Sequence, residues 1–133
     1  MNYYIDSSAI VKLVAEEKDS EHVRAFVGKH LFSSVLSRVE VARTFAQTGK
    51  YSSEIRNQLT CRINFLPISG DLIESIERIE IPRGVRSLDS IHIGSAQLIK
   101  TLVEGVITYD KKMQQALTQL GIAWFAPTAN SET

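Results

Sequence analysis

One cysteine, no long apolar run, no net charge and no internal repeat mark this 133-residue chain, and each absence excludes something. Cys61 has no partner for an internal disulfide, and no Cys/His pairs stand at zinc-finger spacing. The thiol reads as a small, half-buried side chain. No uninterrupted apolar stretch reaches the roughly 18 residues that a membrane-spanning helix needs. The opening Met1-Asn2-Tyr3-Tyr4-Ile5-Asp6 has no basic segment leading into a long apolar one, so no secretory signal is visible. A soluble, cytoplasmic protein without a membrane partner is the expectation. Fifteen Lys and Arg balance fifteen Asp and Glu. Bulk charge therefore neither demands nor forbids a nucleic-acid partner, and only its local distribution can speak to one.

What is present is material for one core. At 44% hydrophobic residues the chain is long enough for a single filled domain and short for two. Short β-favouring runs alternate with stretches of helical periodicity. Tyr3 to Ile5, His30 to Val35, Phe65 to Ile68, Val106 to Tyr109 and Ile122 to Phe125 read as strands, with Pro67 suiting a sheet edge. Helices are expected from Ser7 to Val14, Glu21 to Val27, Ser37 to Gly49, Ser53 to Ile63, Asp71 to Ile79, Ser87 to Leu102 and Lys111 to Leu120. On the longest of these, Leu88, Ile91, Ala96 or Ser95, Ile99 and Leu102 share a face, and Gly121 is placed to end the last. Such alternation implies an α/β fold with a mostly parallel sheet covered on both faces. One domain over residues 1–127 and a frayed tail over 128–133 are expected.

Four acids, Asp6, Glu40, Asp89 and Asp110, stand where a strand or loop hands over to a helix, far apart in sequence. In a sheet wound with one hand, C-terminal strand ends and the helix starts that follow lie along one edge. Four carboxylates gathered there cannot all ionise in water-poor surroundings without a cation between them. The economical reading is a divalent-metal site of hard oxygen ligands, Mg²⁺ or Mn²⁺ rather than zinc.

Each acid also has a purely structural reading. Asp6 could cap the first helix, for about 1 kcal/mol. Ser37-Arg38-Val39-Glu40 fits a capping box, in which the glutamate reaches back to the cap amide. Asp89 lies in a first helical turn, where the dipole favours an acid, and Asp110 could simply start the next helix. Independent caps would tolerate Ser, Thr or Asn, yet acids fill all four positions, and the constellation favours a shared site. His92, three residues after Asp89 and able to share its helix face, reads as a partly buried, hydrogen-bonded imidazole rather than a ligand. Lys12, Arg38, Arg43, Arg86, Lys111 and Lys112 recur close to the acids. A negative pocket with a positive rim suits a phosphodiester, the rim gripping phosphates while metal activates water.

At these residues the chain resembles the PIN-domain ribonucleases of the VapC type, toxins of type II toxin–antitoxin modules. The resemblance is carried by Tyr4 to Leu13, Ser37 to Glu40, Arg86 to His92, Val106 to Met113, Leu120-Gly121-Ile122 and Pro127, and it covers nearly the whole chain. It implies an α/β/α sandwich around a central, mostly parallel sheet of four to five strands, and Mg²⁺-dependent cleavage of RNA. By resemblance Asp6 and Asp89 are the principal metal ligands, Glu40 and Asp110 complete the pocket directly or through water, and Ser8 and Thr108 support it. Ser90 stands where the family usually has alanine. The resemblance also implies a small cognate antitoxin that covers the pocket, and a homodimer. Two other readings remain open: a PIN fold without activity that serves only in binding, and a receiver-like phosphoacceptor domain.

Overall fold

The protein is described by a computed structural model covering residues 1–28 and 30–129. The expected tail is seen only at Thr128 and Ala129, and residues 130–133 lie outside the described ones. Five strands, β1 (Asn2–Ile5), β2 (His30–Ser34), β3 (Ile63–Leu66), β4 (Gly105–Ile107) and β5 (Trp124–Phe125), pair in the order β3-β2-β1-β4-β5. Every pairing is parallel, with Tyr4 opposite Phe32 on one side and Val106 on the other. Among the described residues seven helices connect them: α1 (Ser7–Val14), α2 (Ser20–Phe26), α3 (Leu36–Ala46), α4 (Ser53–Arg62), α5 (Gly70–Arg78), α6 (Ser87–Leu98) and α7 (Lys111–Gln119).

The alternation of side chains along a strand divides the core into two layers. Tyr3, Ile5, Leu31, Ile63 and Ile107 point to one face and pack with Ala9, Ile10 and Leu13 of α1, Val23 of α2, Val41 and Phe45 of α3 and Leu59 of α4. Tyr4 and Val106 point the other way, to Ile93 and Ala96 of α6 and Met113, Ala116 and Leu117 of α7. This is an α/β/α sandwich. Chain reversal is local where the sequence marks it. Asp6, Ser52, Ser69 and Asp110 each cap a helix with a side-chain oxygen. Gly121, at φ 72°, ends α7 in a Schellman turn: its amide donates to Thr118 and that of Ile122 to Leu117.

Several expectations are corrected. Helix α6 stops at Leu98 rather than Leu102, and Leu88 and Leu102 are exposed, so its buried face runs through His92, Ile93 and Ala96. Strand β3 begins at Ile63 and leaves Pro67 beyond its end, while β4 ends at Ile107. Cys61 is exposed, not half-buried. In receiver-type sheets β3 sits between β1 and β4. Here β1 and β4 pair directly and β3 is an edge, which removes the receiver reading. Among the described residues no helix is long and apolar enough to cross a membrane.

Candidate active site

From β1 the chain turns toward β2 and β3, and β4 is laid down on the other side of β1. The order reverses between β1 and β4, and in open α/β sheets the crevice beyond the strand ends at such a point is where ligands bind. Asp6 follows β1 immediately, and Thr108 and Asp110 follow β4.

Asp6 is 3% exposed, and each of its oxygens is held. Oδ1 accepts from the Ser8 hydroxyl at 2.6 Å and the Ala9 amide at 3.2 Å, and Oδ2 accepts from the Thr108 hydroxyl at 2.5 Å. Burial pushes its pKa up, and these donors act against the shift. The capping reading of Asp6 is thus correct, without making the residue only a cap. Ser8 and Thr108, expected to support the site, both donate to this carboxylate. Ser8 Oγ also accepts from the Tyr109 amide at 3.1 Å, and Thr108 Oγ1 from the Asp110 amide at 3.1 Å, so the β1 and β4 ends are sewn together around one carboxylate.

Asp110 caps α7, its Oδ1 accepting from the amides of Lys112 at 2.9 Å and Met113 at 3.2 Å. Asp89 sits half-buried in the first turn of α6. Its pKa is raised first by burial and then by the charge of Asp110, with Glu40 adding to the effect and His92 and Arg86 opposing it. Three acids from three helices thus feel one another.

Glu40 is where sequence reasoning offered the wrong structural role. Helix α3 begins at Leu36, with Val35 in the cap position and no side-chain cap. Ser37 lies inside the helix, bonded to Ser33 at 2.6 Å, and no capping box forms. Glu40 Oε1 instead meets His92 Nε2 at 2.6 Å. His92, expected to be partly buried, is 2% exposed, and its Nδ1 lies 2.8 Å from the Tyr4 hydroxyl. The link of Tyr4 and His92 to Glu40 joins three separate elements, and no local spacing announces it.

The basic residues divide. Lys12 is committed within the fold: its Nζ donates to the Lys18 carbonyl at 2.9 Å and lies 4.9 Å from the Tyr109 ring centre. Arg38, Arg43, Arg86, Lys111 and Lys112 are exposed. Arg38 reaches over Phe65 and shares a shallow groove with Arg43 and Tyr51. Arg86, Lys111 and Lys112 lie at the N-terminal ends of α6 and α7, where the helix dipole disfavours a cation.

A PIN domain family match spans residues 3–117. Over 127 residues the chain is 32% identical to Ribonuclease VapC46 of Mycobacterium tuberculosis, covering 94% of this chain and 97% of that protein. The chain belongs to the VapC group of PIN-domain proteins. It is also 30% identical over 133 residues to Ribonuclease VapC47 of the same species, covering 95% and 97% of the two chains. The fold is shared with a toxin–antitoxin complex from Klebsiella pneumoniae at TM-score 0.69 and 17% identity, over 94% of this chain and 97% of that one. Mycobacterium tuberculosis VapC20, a sarcin–ricin loop cleaving toxin, has the same score at 12% identity, over 94% and 99%.

Among the described residues no three His, Cys, Asp or Glu side chains stand close enough together to ligate one ion as they are. This does not conflict with Mg²⁺, which keeps several waters and is usually bound through one or two carboxylates. The donor chemistry of the PIN site also fits a hard cation. Its acids offer oxygens, the sole nearby imidazole has both nitrogens occupied, and like charges already push Asp89 up. Asp6 and Asp89 are the residues that would hold the ion, with Glu40 and Asp110 reaching it directly or through water.

Proposed function

We propose that this VapC-type protein is a Mg²⁺-dependent endoribonuclease that hydrolyses RNA phosphodiester bonds with an activated water, and that it acts as the toxin of a toxin–antitoxin pair. The observation that carries the reading is a buried Asp6 and a capping Asp110 at the ends of β1 and β4, with Asp89 within reach of the charges of Asp110 and Glu40. Stability gives no reason to gather them. The ribonuclease names of the two Mycobacterium relatives support the same chemistry.

A divalent cation at this edge (Mg²⁺, with Mn²⁺ able to substitute) would neutralise the scissile phosphate and acidify a water. Asp6 and Asp89 supply charge for it. Glu40 or Asp110 orients the attacking water or takes its proton. Arg38, Arg43, Arg86, Lys111 and Lys112 grip flanking phosphates, which explains cations placed against two helix dipoles. Lys12 gives one N–H to the Lys18 carbonyl and keeps further donors for the same role. In-line attack leaves a 5′-phosphate and a 3′-hydroxyl. A small antitoxin that covers the acidic pocket, and pairing of two copies, complete the reading, as the resemblance implies; the toxin–antitoxin complex that shares the fold supports the first.

The test is cleavage of end-labelled single-stranded RNA by the purified protein with Mg²⁺, with and without chelator. Fragments with 5′-phosphates, abolished by the chelator, are expected. Cyclic 2′,3′-phosphate ends, or cleavage that survives chelation, would overturn the mechanism. No cleavage in Mg²⁺ or Mn²⁺ would leave a PIN fold that only binds.

A further inference from the structure

The four acids differ in how firmly they are held. Asp6 accepts three hydrogen bonds and Asp110 two backbone amides, and both side chains are short. Glu40 is the longest of the four, with the most rotatable bonds, and it lies in α3 without a cap amide to hold it. Its contact with His92 is the only side-chain hydrogen bond its carboxylate makes among the described residues. Its Oε2 accepts no hydrogen bond there, so one oxygen is held and the other is left to the pocket.

The proton order in this link follows from its far end. The Ser34 amide can only donate, and it donates to the Tyr4 hydroxyl oxygen at 3.0 Å. The one phenolic proton is then free to be donated to His92 Nδ1, 2.8 Å away. A neutral imidazole that accepts at Nδ1 carries its proton on Nε2, and that proton points at Glu40 Oε1. With His92 in that tautomer, the chain Ser34, Tyr4, His92, Glu40 runs in one direction through β2, β1, α6 and α3. Three of its members are buried, His92 at 2% exposure and Tyr4 and Ser34 at 0%.

We infer that His92 is a positioning residue for the nuclease centre: through its Nε2 proton it sets the angle of the Glu40 carboxylate, and Tyr4 and Ser34 set His92. The inference rests on the nuclease reading for its consequence, but the link itself is a property of the protein without metal or RNA. A buried histidine that only filled space would do so as well without a carboxylate at one end and a phenol at the other. Supporting partners of this kind typically change activity by about 10–100-fold when removed.

Two measurements test it. Nitrogen-15 spectra of the imidazoles in the metal-free protein should show His92 as the Nε2–H tautomer. Its Nε2 signal should move in Glu40→Gln and its Nδ1 signal in Tyr4→Phe. An Nδ1–H tautomer, or an Nε2 signal indifferent to Glu40→Gln, overturns the inference, whether or not any variant cuts RNA. In steady-state cleavage, His92→Leu should lower kcat by roughly 10–100-fold with little change in KM. His92→Gln, whose amide can still donate to Glu40, should recover most of the loss. In a Glu40→Gln background, His92→Leu should cost nothing further. Equal losses in both backgrounds, or no recovery by Gln, would make His92 a structural residue only. If the wild type cuts no RNA the nuclease reading fails on its own, and the spectra decide the link; they also decide it if His92→Leu does not fold.

Discussion

Replacing Asp6 with Asn separates the structural use of this carboxylate from its chemical use. Asn is as good a helix cap as Asp, so the bond from the Ala9 amide to Oδ1 survives, as does the bond from Ser8. What changes is Oδ2, which becomes an amide nitrogen facing the Thr108 hydroxyl that formerly donated to it. Losing a hydrogen bond to a charged group costs about 1.5–3 kcal/mol. Against that stands the burial of the charge itself. Burial raises the Asp6 pKa, so the ionised form opposes folding at neutral pH, and Asn removes that opposition. The two effects have opposite sign, and a net change within about 1 kcal/mol is expected, a few degrees in Tm. Cleavage should behave differently. Charge stabilisation by a bound metal is worth several kcal/mol, and each 1.4 kcal/mol is tenfold in rate, so a loss of roughly a hundredfold or more follows. The assay is paired: thermal melting without metal, and initial rates on labelled RNA at saturating Mg²⁺. A variant that melts like the wild type and also cuts like it would refute the assignment of Asp6. A variant that fails to fold would show that the Thr108 bond outweighs the relief of the buried charge.

Glu40→Gln should leave Tm nearly unchanged, since the amide oxygen can still accept from His92 and no cap is lost, while cleavage falls by about a hundredfold, as for removal of a group acting in proton transfer. The folded pKa of Asp89 is raised, so its contribution favours folding at acid pH and is lost as pH rises through the folded value. Asp89→Asn should therefore melt no lower than wild type at pH 7 without metal, and the difference should vanish below about pH 4, measured by calorimetry across pH. Mg²⁺ should raise the Tm of the wild type, by the equivalent of about 2.7 kcal/mol at a hundred times Kd. That shift should shrink as pH falls and be largely lost in Asp89→Asn; equal shifts in both proteins would rule out a shared pocket. Gly105→Ala tests the fold alone: a Cβ there would lie 2.6 Å from the Ala123 carbonyl oxygen and 2.8 Å from Phe125. Overpacking against backbone should cost about 1–3 kcal/mol in denaturant unfolding and loosen β5 first.

The sheet was legible because its junctions are written locally. Tyr3-Tyr4-Ile5 followed by Asp6-Ser7-Ser8 is a strand meeting a cap within six residues, and Gly121 sits where only a left-handed residue closes α7. The ends of elements were less legible where apolar residues continue past them. Ile99 to Leu102 extend the periodicity of α6, yet that helix stops at Leu98, because the chain must turn into β4. Asp6 and Asp110 do stand where a strand hands over to a helix, whereas Glu40 lies inside α3. The partners of the acids were not legible. Ser37 and Glu40 have the spacing of a capping box, but that pattern lost to two other bonds, Ser37 to Ser33 four residues back in β2 and the long-range bond of Glu40 to His92 in α6. Lys12 shows the same limit: one donor of a cation near the acids in sequence goes to the Lys18 carbonyl six residues away.

The opposition of cap and ligand for these acids dissolves once the oxygens are counted. A carboxylate has two oxygens and about four acceptor sites. Asp110 gives one oxygen to two α7 amides, and among the described residues its other oxygen accepts no hydrogen bond. Those amides are among the ones that the first turn of α7 leaves without a carbonyl partner. Asp6 accepts from one α1 amide and two hydroxyls. Capping thus gives Asp6 and Asp110 a structural task without using up every acceptor site of the carboxylate. Glu40 sits too far into α3 to borrow from its own helix end, and a donor from α6 supplies what the helix cannot. The burial of an imidazole and a phenol between β1 and α6 is then a consequence of where the glutamate falls in its helix.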